Sequence, residues 1–136
     1  MDKALNYMSL GRKAGLIELG EEPVGAAARA QKARLVAVAQ DAGDHTWRRA
    51  KSFVAGTNQV CVRVPYTKDE MGQATGRTSL AIAAFTDPAM ALAFAKALPQ
   101  PPQEALEILQ AKADKQKQLK KEAQTHKKNV RFGKKK

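Results

Sequence analysis

Two short glycine-containing segments carry residue types that bind phosphate groups. Residues 20–25 (GEEPVG) indicate a tight turn that leads directly into a helix. The first backbone N–H groups of a helix have no partner within the helix, so they can donate hydrogen bonds to a phosphate oxygen. Residues 76–79 (GRTS) combine one cation with two hydroxyls in a loop before an apolar run. Both segments therefore predict contacts to the phosphates of RNA.

Further cations follow the first of these segments, at Arg29 and Lys32. They lie towards the end of the same alanine-rich helix, where they would extend a phosphate-contacting surface. We expect the following residues to form the RNA-binding surface: Gly20, Glu21, Glu22, Gly25, Arg29, Lys32, Gly76, Arg77, Thr78 and Ser79.

Catalytic and metal-binding patterns find little support in this sequence. His45 and His126 are far apart, and neither has metal-ligand spacing to another His or Cys. Cys61 is the one cysteine, so an internal disulfide is excluded, and its apolar neighbours predict a buried, inert thiol. Residues 72–76 (GQATG) lack the spacing of a dinucleotide or phosphate-loop fingerprint. We therefore expect no enzyme activity, no cofactor and no metal.

The charge of the chain is strongly positive and unevenly distributed. The formal net charge is +11, and +7 of it lies from residue 99 onward, where 11 Lys and Arg face 4 Asp and Glu. Polyanions are the natural partners of such a chain, because Lys and Arg displace the counterions condensed on phosphates. Only 5% of the residues are aromatic, which argues against broad stacking platforms for single-stranded nucleic acid.

Apolar runs and helix-capping signals alternate regularly along the first 98 residues. We predict helices near residues 5–14, 23–31, 46–54, 68–75 and 88–98, and strands near 16–19, 35–39, 60–64 and 80–85. The helix signals include an N-cap at Asp44, a capping box formed by Thr67 and Glu70, and an N-cap at Asp87 followed by proline. Strands that alternate with helices indicate an α/β fold, with helices covering both faces of a sheet.

A proline-rich segment at residues 99–102 predicts a domain boundary. Residues 1–98 would form the RNA-binding domain, and residues 99–136 a linker followed by a basic, partly helical or disordered tail. Residues 103–124 have helical character with a weak apolar stripe at Leu106, Leu109 and Ala113, whereas residues 125–136 are polar and cationic enough to be disordered alone.

Several of these segments together resemble a known family. They are LGRKAG at residues 10–15, GEEPV at 20–24, KARLVAVAQD at 32–41, VPY at 64–66 and MGQATGR at 71–77. On these motifs residues 1–98 resemble the ribosomal protein L-seven-Ae/L-thirty-e family of kink-turn RNA binders, most closely its short bacterial ribosomal-protein-like members. The resemblance implies a three-layer α-β-α sandwich around a mixed four-stranded sheet, and binding of structured RNA.

One motif of that family differs here. Members that recognise kink-turns carry an Asn-Glu-x-x-Lys-like signature at the start of the second helix. Aligned from Gly20 and Val24, this sequence has Glu22, Pro23 and Ala26 at those three positions. A carboxylate repels a phosphate, and alanine does not replace the charge of an ammonium group. Specific recognition of a kink-turn is therefore expected to be weakened.

The leading hypothesis is a non-catalytic, monomeric RNA-binding protein that binds structured RNA, either ribosomal or kink-turn-like, and associates with the ribosome. A second hypothesis is a protein-interaction adaptor that kept the fold and lost the RNA site, consistent with Glu18, Glu21 and Glu22. A third is an RNA-sensing domain, related to those fused to RNA methyltransferases, that acts in trans. The apolar core of a signal peptide is absent at the N-terminus, and no run approaches the ~20 apolar residues of a membrane span, so we expect a cytoplasmic protein without membrane contact.

Overall fold

The computed structural model describes residues 2–133, with side chains described for residues 2–123. It forms a mixed four-stranded sheet in the order β1-β4-β2-β3, with helices on both faces. The strands are β1 (Ile17–Leu19), β2 (Leu35–Val38), β3 (Val60–Arg63) and β4 (Ile82–Phe85). The helices are α1 (Lys3–Ala14), α2 (Glu21–Arg29), α3 (Asp44–Val54), α4 (Lys68–Thr75), α5 (Pro88–Ala97) and α6 (Gln103–Gly133). The expected three-layer α/β sandwich is confirmed.

Strand β2 lies inside the sheet between β4 and β3. It pairs antiparallel with β4, with Leu35 opposite Phe85 and Val38 opposite Ile82, and parallel with β3. Strand β1 pairs antiparallel with the other side of β4. Every residue of β2 and β4 is buried, because helices cover both faces of these two strands.

The helices divide into two layers. Helices α2 and α3 contact each other and the sheet, while α1 contacts both α4 and α5. Between the sheet and α5 the rings of Phe85 and Phe94, both fully buried, lie with their centroids 4.8 Å apart. Cys61 on the edge strand β3 is half-buried, so its predicted burial is incomplete because an edge strand is covered less than an inner one.

The capping signals of the sequence are largely present in the structure. Thr67 and Glu70 form the predicted capping box, and the Asp87 carboxylate accepts a hydrogen bond of 2.9 Å from the Met90 N–H. Helices α1 and α4 end at Gly15 and Gly76, which have φ values of 71° and 76°. Glycine suits this left-handed conformation because it has no Cβ.

Three helices begin earlier than predicted, and the first of them, α1, begins at Lys3 rather than near residue 5. Helix α2 begins at Glu21 rather than Pro23, and the proline is tolerated because N–H groups of the first turn have no partner within the helix. Helix α3 begins at Asp44, and the N-cap is Gly43, whose carbonyl accepts a hydrogen bond from the Trp47 N–H. The predicted N-cap role of Asp44 is therefore wrong, although its carboxylate lies in the first turn, where the helix dipole favours it.

Helix α6 packs on α5 and contacts β3. Ala105 and Leu109 are buried, and Leu106 and Ala113 pack partly buried against the same core, as the apolar stripe predicted. The helix runs to Gly133, beyond residue 124, where the predicted helical segment ended. Residues 134–136 of the predicted tail lie outside the described residues. Within residues 2–133, no helix combines the length and apolarity needed to cross a bilayer.

Candidate nucleic-acid interface

The turn between β1 and α2 is built around Gly20. Its N–H donates a hydrogen bond of 3.0 Å to the Ile82 carbonyl, which continues the pairing of β1 with β4. Its φ of 97° then turns the chain into the helix, a conformation that side chains rarely adopt. As the N-cap, Gly20 supplies no side-chain hydrogen bond to the first turn. The amides of Glu21 and Glu22 in that turn are thus not capped by a side chain.

The loop between α4 and β4 is held against α4 by a close backbone approach. A Cβ atom placed on Gly72 would lie 2.7 Å from the Arg77 carbonyl oxygen and 2.9 Å from the Ser79 nitrogen. Only glycine leaves room for this contact. The Arg77 N–H also donates a hydrogen bond of 2.8 Å to the Gly72 carbonyl. The loop is therefore fixed in place, with Arg77, Thr78 and Ser79 exposed.

Arginine side chains join these two segments into one surface. Nη1 of Arg77 lies 3.5 Å from the position of a Cβ on Gly20, so its guanidinium group reaches the start of α2. Nη1 of Arg12, at the end of α1, lies 2.9 Å from the corresponding position on Gly76. We call this surface the arginine–turn surface: Arg12, Gly20, Glu22 and residues 76–79. It places the Arg77 guanidinium group beside the positive end of α2 and the Arg12 guanidinium group at the C-terminal end of α4. A cation next to a helix start attracts anions.

The acidic residues near this surface differ in their surroundings. Glu21 forms an ion pair with Arg49 of α3, with 2.7 Å between its Oε1 and the arginine Nε. This pair reduces the repulsion that Glu21 would exert on a phosphate. Glu18 and Glu22 are exposed. Glu22 therefore remains the carboxylate that opposes an anion at the start of α2.

Three of the residues expected in the site lie elsewhere. Gly25 is buried, and a Cβ there would lie 3.1 Å from Cζ of Phe53, so this glycine permits packing of α2 on α3. Arg29 ends α2, about 12 Å from Glu21 along the helix axis at 1.5 Å per residue. Lys32 lies beyond it in the next turn, where its N–H bonds the Ala27 carbonyl. The structure brings together the residues at 20–22 and 76–79, and separates Arg29 and Lys32 from them.

Arg12 is a candidate that the sequence analysis missed. It belongs to the LGRKAG segment and lies in the last turn of α1, where a basic residue is explained by the helix dipole alone. Its contact with Gly76 depends on the packing of α1 against α4, which the local sequence does not reveal.

Trp47 on α3 is the one tryptophan of the chain, and its ring already contacts cations of the protein. The Arg63 guanidinium lies 4.9 Å from the ring centroid, and the Lys51 ammonium lies 5.4 Å from it. Such cation–π contacts occupy the π surface that a nucleobase would use. The arginine–turn surface itself contains no aromatic residue, so its side chains suit phosphate contacts more than base stacking.

Comparison with known proteins shows similarity in fold. No protein-family model and no curated protein matches the chain. A solved structure of a protein with unknown function from Bacillus halodurans has a TM-score of 0.68 at 22% identity, covering 74% of this chain and 100% of that one. The Giardia lamblia 15.5kD RNA binding protein has a TM-score of 0.61 at 21% identity, covering 76% of this chain and 87% of that one. The fold is thus shared with a protein that binds RNA.

Proposed function

We propose that this protein is a non-catalytic RNA-binding protein that contacts RNA through the arginine–turn surface. The observation that carries the proposal is the position of Arg77, whose guanidinium group lies beside Gly20 at the uncapped start of α2. The similarity in fold to the Giardia RNA binding protein and the net charge of +11 support it. Neither observation depends on the geometry of the loop.

The proposed ligand is structured RNA, either ribosomal or containing a kink-turn. A rigid surface of two guanidinium groups and a helix start fits phosphates that a folded RNA holds close together. Glu22 stands where the family signature has an asparagine, so we propose a moderate preference for the kink-turn over a plain duplex. Long α6 would add contacts to phosphates that do not depend on sequence.

The test is fluorescence anisotropy with a labelled kink-turn RNA and a plain RNA duplex of equal length, each titrated at several salt concentrations. We expect Arg77→Gln to weaken binding about tenfold or more, since a hydrogen bond to a charged group contributes about 1.5–3 kcal/mol. The log–log salt slope should become shallower by about 1. Arg48→Gln on the exposed part of α3 is the matched control, because it removes the same charge away from the surface.

Two results would contradict the proposal. If Arg77→Gln and Arg48→Gln weaken RNA affinity equally, net charge alone drives binding and the arginine–turn surface has no specific role. An absence of RNA binding at low salt would favour the adaptor hypothesis. Equal affinity for both RNAs would retain RNA binding and reject the preference for the kink-turn.

A further inference from the structure

A second cationic surface lies at the opposite end of the sheet from the arginine–turn surface. The Arg34 N–H donates to the Phe85 carbonyl at the end of β4, whereas Gly20 bonds Ile82 at its start. Between the α2–β2 turn and α6 there is a cleft of about 650 Å³. Its polar lining includes Gln31, Arg34, Asn58, Lys112, Lys115 and Gln116.

Hydrogen bonds hold both walls of this cleft in place. Gln59 is buried, with its Oε1 accepting from the Ala33 N–H at 2.9 Å and its Nε2 donating to the Ala28 carbonyl at 3.2 Å, which fixes the α2–β2 turn. Helix α6 is joined to the domain by Lys112, whose Nζ donates to the Asn58 carbonyl at 2.6 Å. Gln116 Nε2 donates to the Asp87 carboxylate at 3.1 Å. The cleft is therefore a built feature of the fold.

The cations of the cleft lack anionic partners among the described residues. The Nε atom of Arg34 is buried and has no hydrogen-bond partner within the described part of the chain. A buried donor left unpaired is costly, and more so when it carries charge. No described carboxylate forms an ion pair with Arg34, Lys112 or Lys115. Burial, and secondly the nearby Arg34, lower the pKa of Lys112.

We propose that this cleft is a phosphate-binding site in which Arg34, Lys112 and Lys115 hold the phosphate group. An anion here would neutralise the Arg34 guanidinium group, which lines the cleft, and relieve the repulsion between Arg34 and Lys112. Phosphate suits three cations that converge from two elements, because its oxygens accept several charge-assisted hydrogen bonds at once. The Gln31 amide at the rim supplies a hydrogen-bonding group for the rest of the ligand. The phosphate belongs either to a free phosphate monoester or to the backbone of an RNA strand.

This site goes beyond the proposed RNA-binding surface and uses none of its residues. Arg77→Gln should therefore leave phosphate binding in the cleft unchanged. Conversely, a failure to detect phosphate binding in the cleft would not affect the comparison of RNA affinity between Arg77→Gln and Arg48→Gln. The two proposals can therefore fail independently.

The test is a titration of the full chain with inorganic phosphate, monitored through the amide chemical shifts in NMR spectra. Chloride keeps the ionic strength constant during the titration. We expect saturable shifts at residues 31–34, 58–59 and 112–116. Arg34→Gln should weaken binding about tenfold, as expected for loss of a charge-assisted hydrogen bond. Lys115→Gln should weaken it about threefold, because its site is more exposed. Lys117→Gln, outside the cleft on the same helix, is the matched control and should have no effect.

The source of the phosphate is separated by two further probes. The first probe is adenosine 5′-monophosphate, and the second is an eight-nucleotide RNA that lacks terminal phosphates. If adenosine 5′-monophosphate binds more tightly than inorganic phosphate and the RNA causes no amide shifts, the ligand is a free phosphate monoester. Shifts of the same amides by that RNA identify backbone phosphodiesters. Both outcomes support the site. It is overturned if no probe gives saturable shifts in the cleft, or if Lys117→Gln weakens binding as much as Lys115→Gln does.

Discussion

Gly72→Ala tests whether the α4–β4 loop is held by its close approach to α4. The added Cβ would lie 2.7 Å from the Arg77 carbonyl oxygen and 2.9 Å from the Ser79 nitrogen. Both are backbone atoms, so the contact is relieved only by moving the loop. Because the same loop carries Arg77, we expect the substitution to change RNA binding as well as stability.

The expected magnitude follows from two opposed effects. Overpacking of a close contact costs about 1–3 kcal/mol of the free energy of unfolding. Alanine in a helix interior is favoured over glycine by about 0.8–1.0 kcal/mol. The net loss of stability should therefore be between about 0 and 2 kcal/mol. Displacement of Arg77 from Gly20 should weaken RNA binding, with Arg77→Gln as the upper limit of the loss.

Urea unfolding gives the change in stability, and anisotropy with the kink-turn RNA gives the change in affinity. Gly25→Ala is the comparison, because its added Cβ meets the tip of the Phe53 ring and the end of Arg29, which can shift. We expect this control to keep its RNA affinity and to change the free energy of unfolding by no more than about 1 kcal/mol, because the helix propensity gained with alanine opposes the cost of shifting the Phe53 ring. The full helix-propensity difference between alanine and glycine is about 1 kcal/mol. If Gly72→Ala raises the free energy of unfolding by about that amount and leaves the RNA affinity unchanged, the described packing of the loop is refuted.

Three further predictions concern the rest of the fold. Leu109→Ala should lower the free energy of unfolding by about 2–5 kcal/mol, because Leu109 is fully buried. Leu119 is 55% exposed, so Leu119→Ala should change the free energy of unfolding by about 0.5 kcal/mol or less in the same urea titration. Equal effects of the two substitutions would contradict the docking of α6 on the domain. Burial raises the pKa of the Cys61 thiol to about 12, so maleimide labelling at pH 8 should be more than about tenfold slower in the native protein than in denaturant, and comparable rates would show an open thiol. The Tyr66 hydroxyl donates a hydrogen bond of 2.7 Å to the Asp2 carboxylate and lowers the pKa of that carboxyl, so the pair stabilises the fold above the carboxyl's unfolded pKa and loses this effect as the pH falls through the lower folded pKa. Tyr66→Phe should therefore reduce the melting temperature at pH 7, and the difference from the unsubstituted protein should become smaller below about pH 4. A difference in melting temperature that stays constant with pH would exclude this linkage.

The local elements were largely predictable from the sequence because their signals lie within a few residues. Gly15 and Gly76 end helices in the left-handed conformation, and the Thr67–Glu70 capping box needs only four consecutive residues. The burial of β2 and β4 follows from uninterrupted apolar runs. The errors at the starts of α2 and α3 arise because a glycine, with no side-chain signal, serves as the N-cap in both.

The two charged surfaces depend on which elements become neighbours. The sequence alone determined that the chain carries excess positive charge, and it predicted phosphate contacts at residues 20–25 and 76–79. The strand order β1-β4-β2-β3 decided that Gly20 lies beside Arg77, and the docking of α6 decided that Lys112 lies beside Arg34. Electrostatic interactions fall off with distance through space and are indifferent to separation along the chain. Tertiary packing therefore selected which of the many Lys and Arg residues act together.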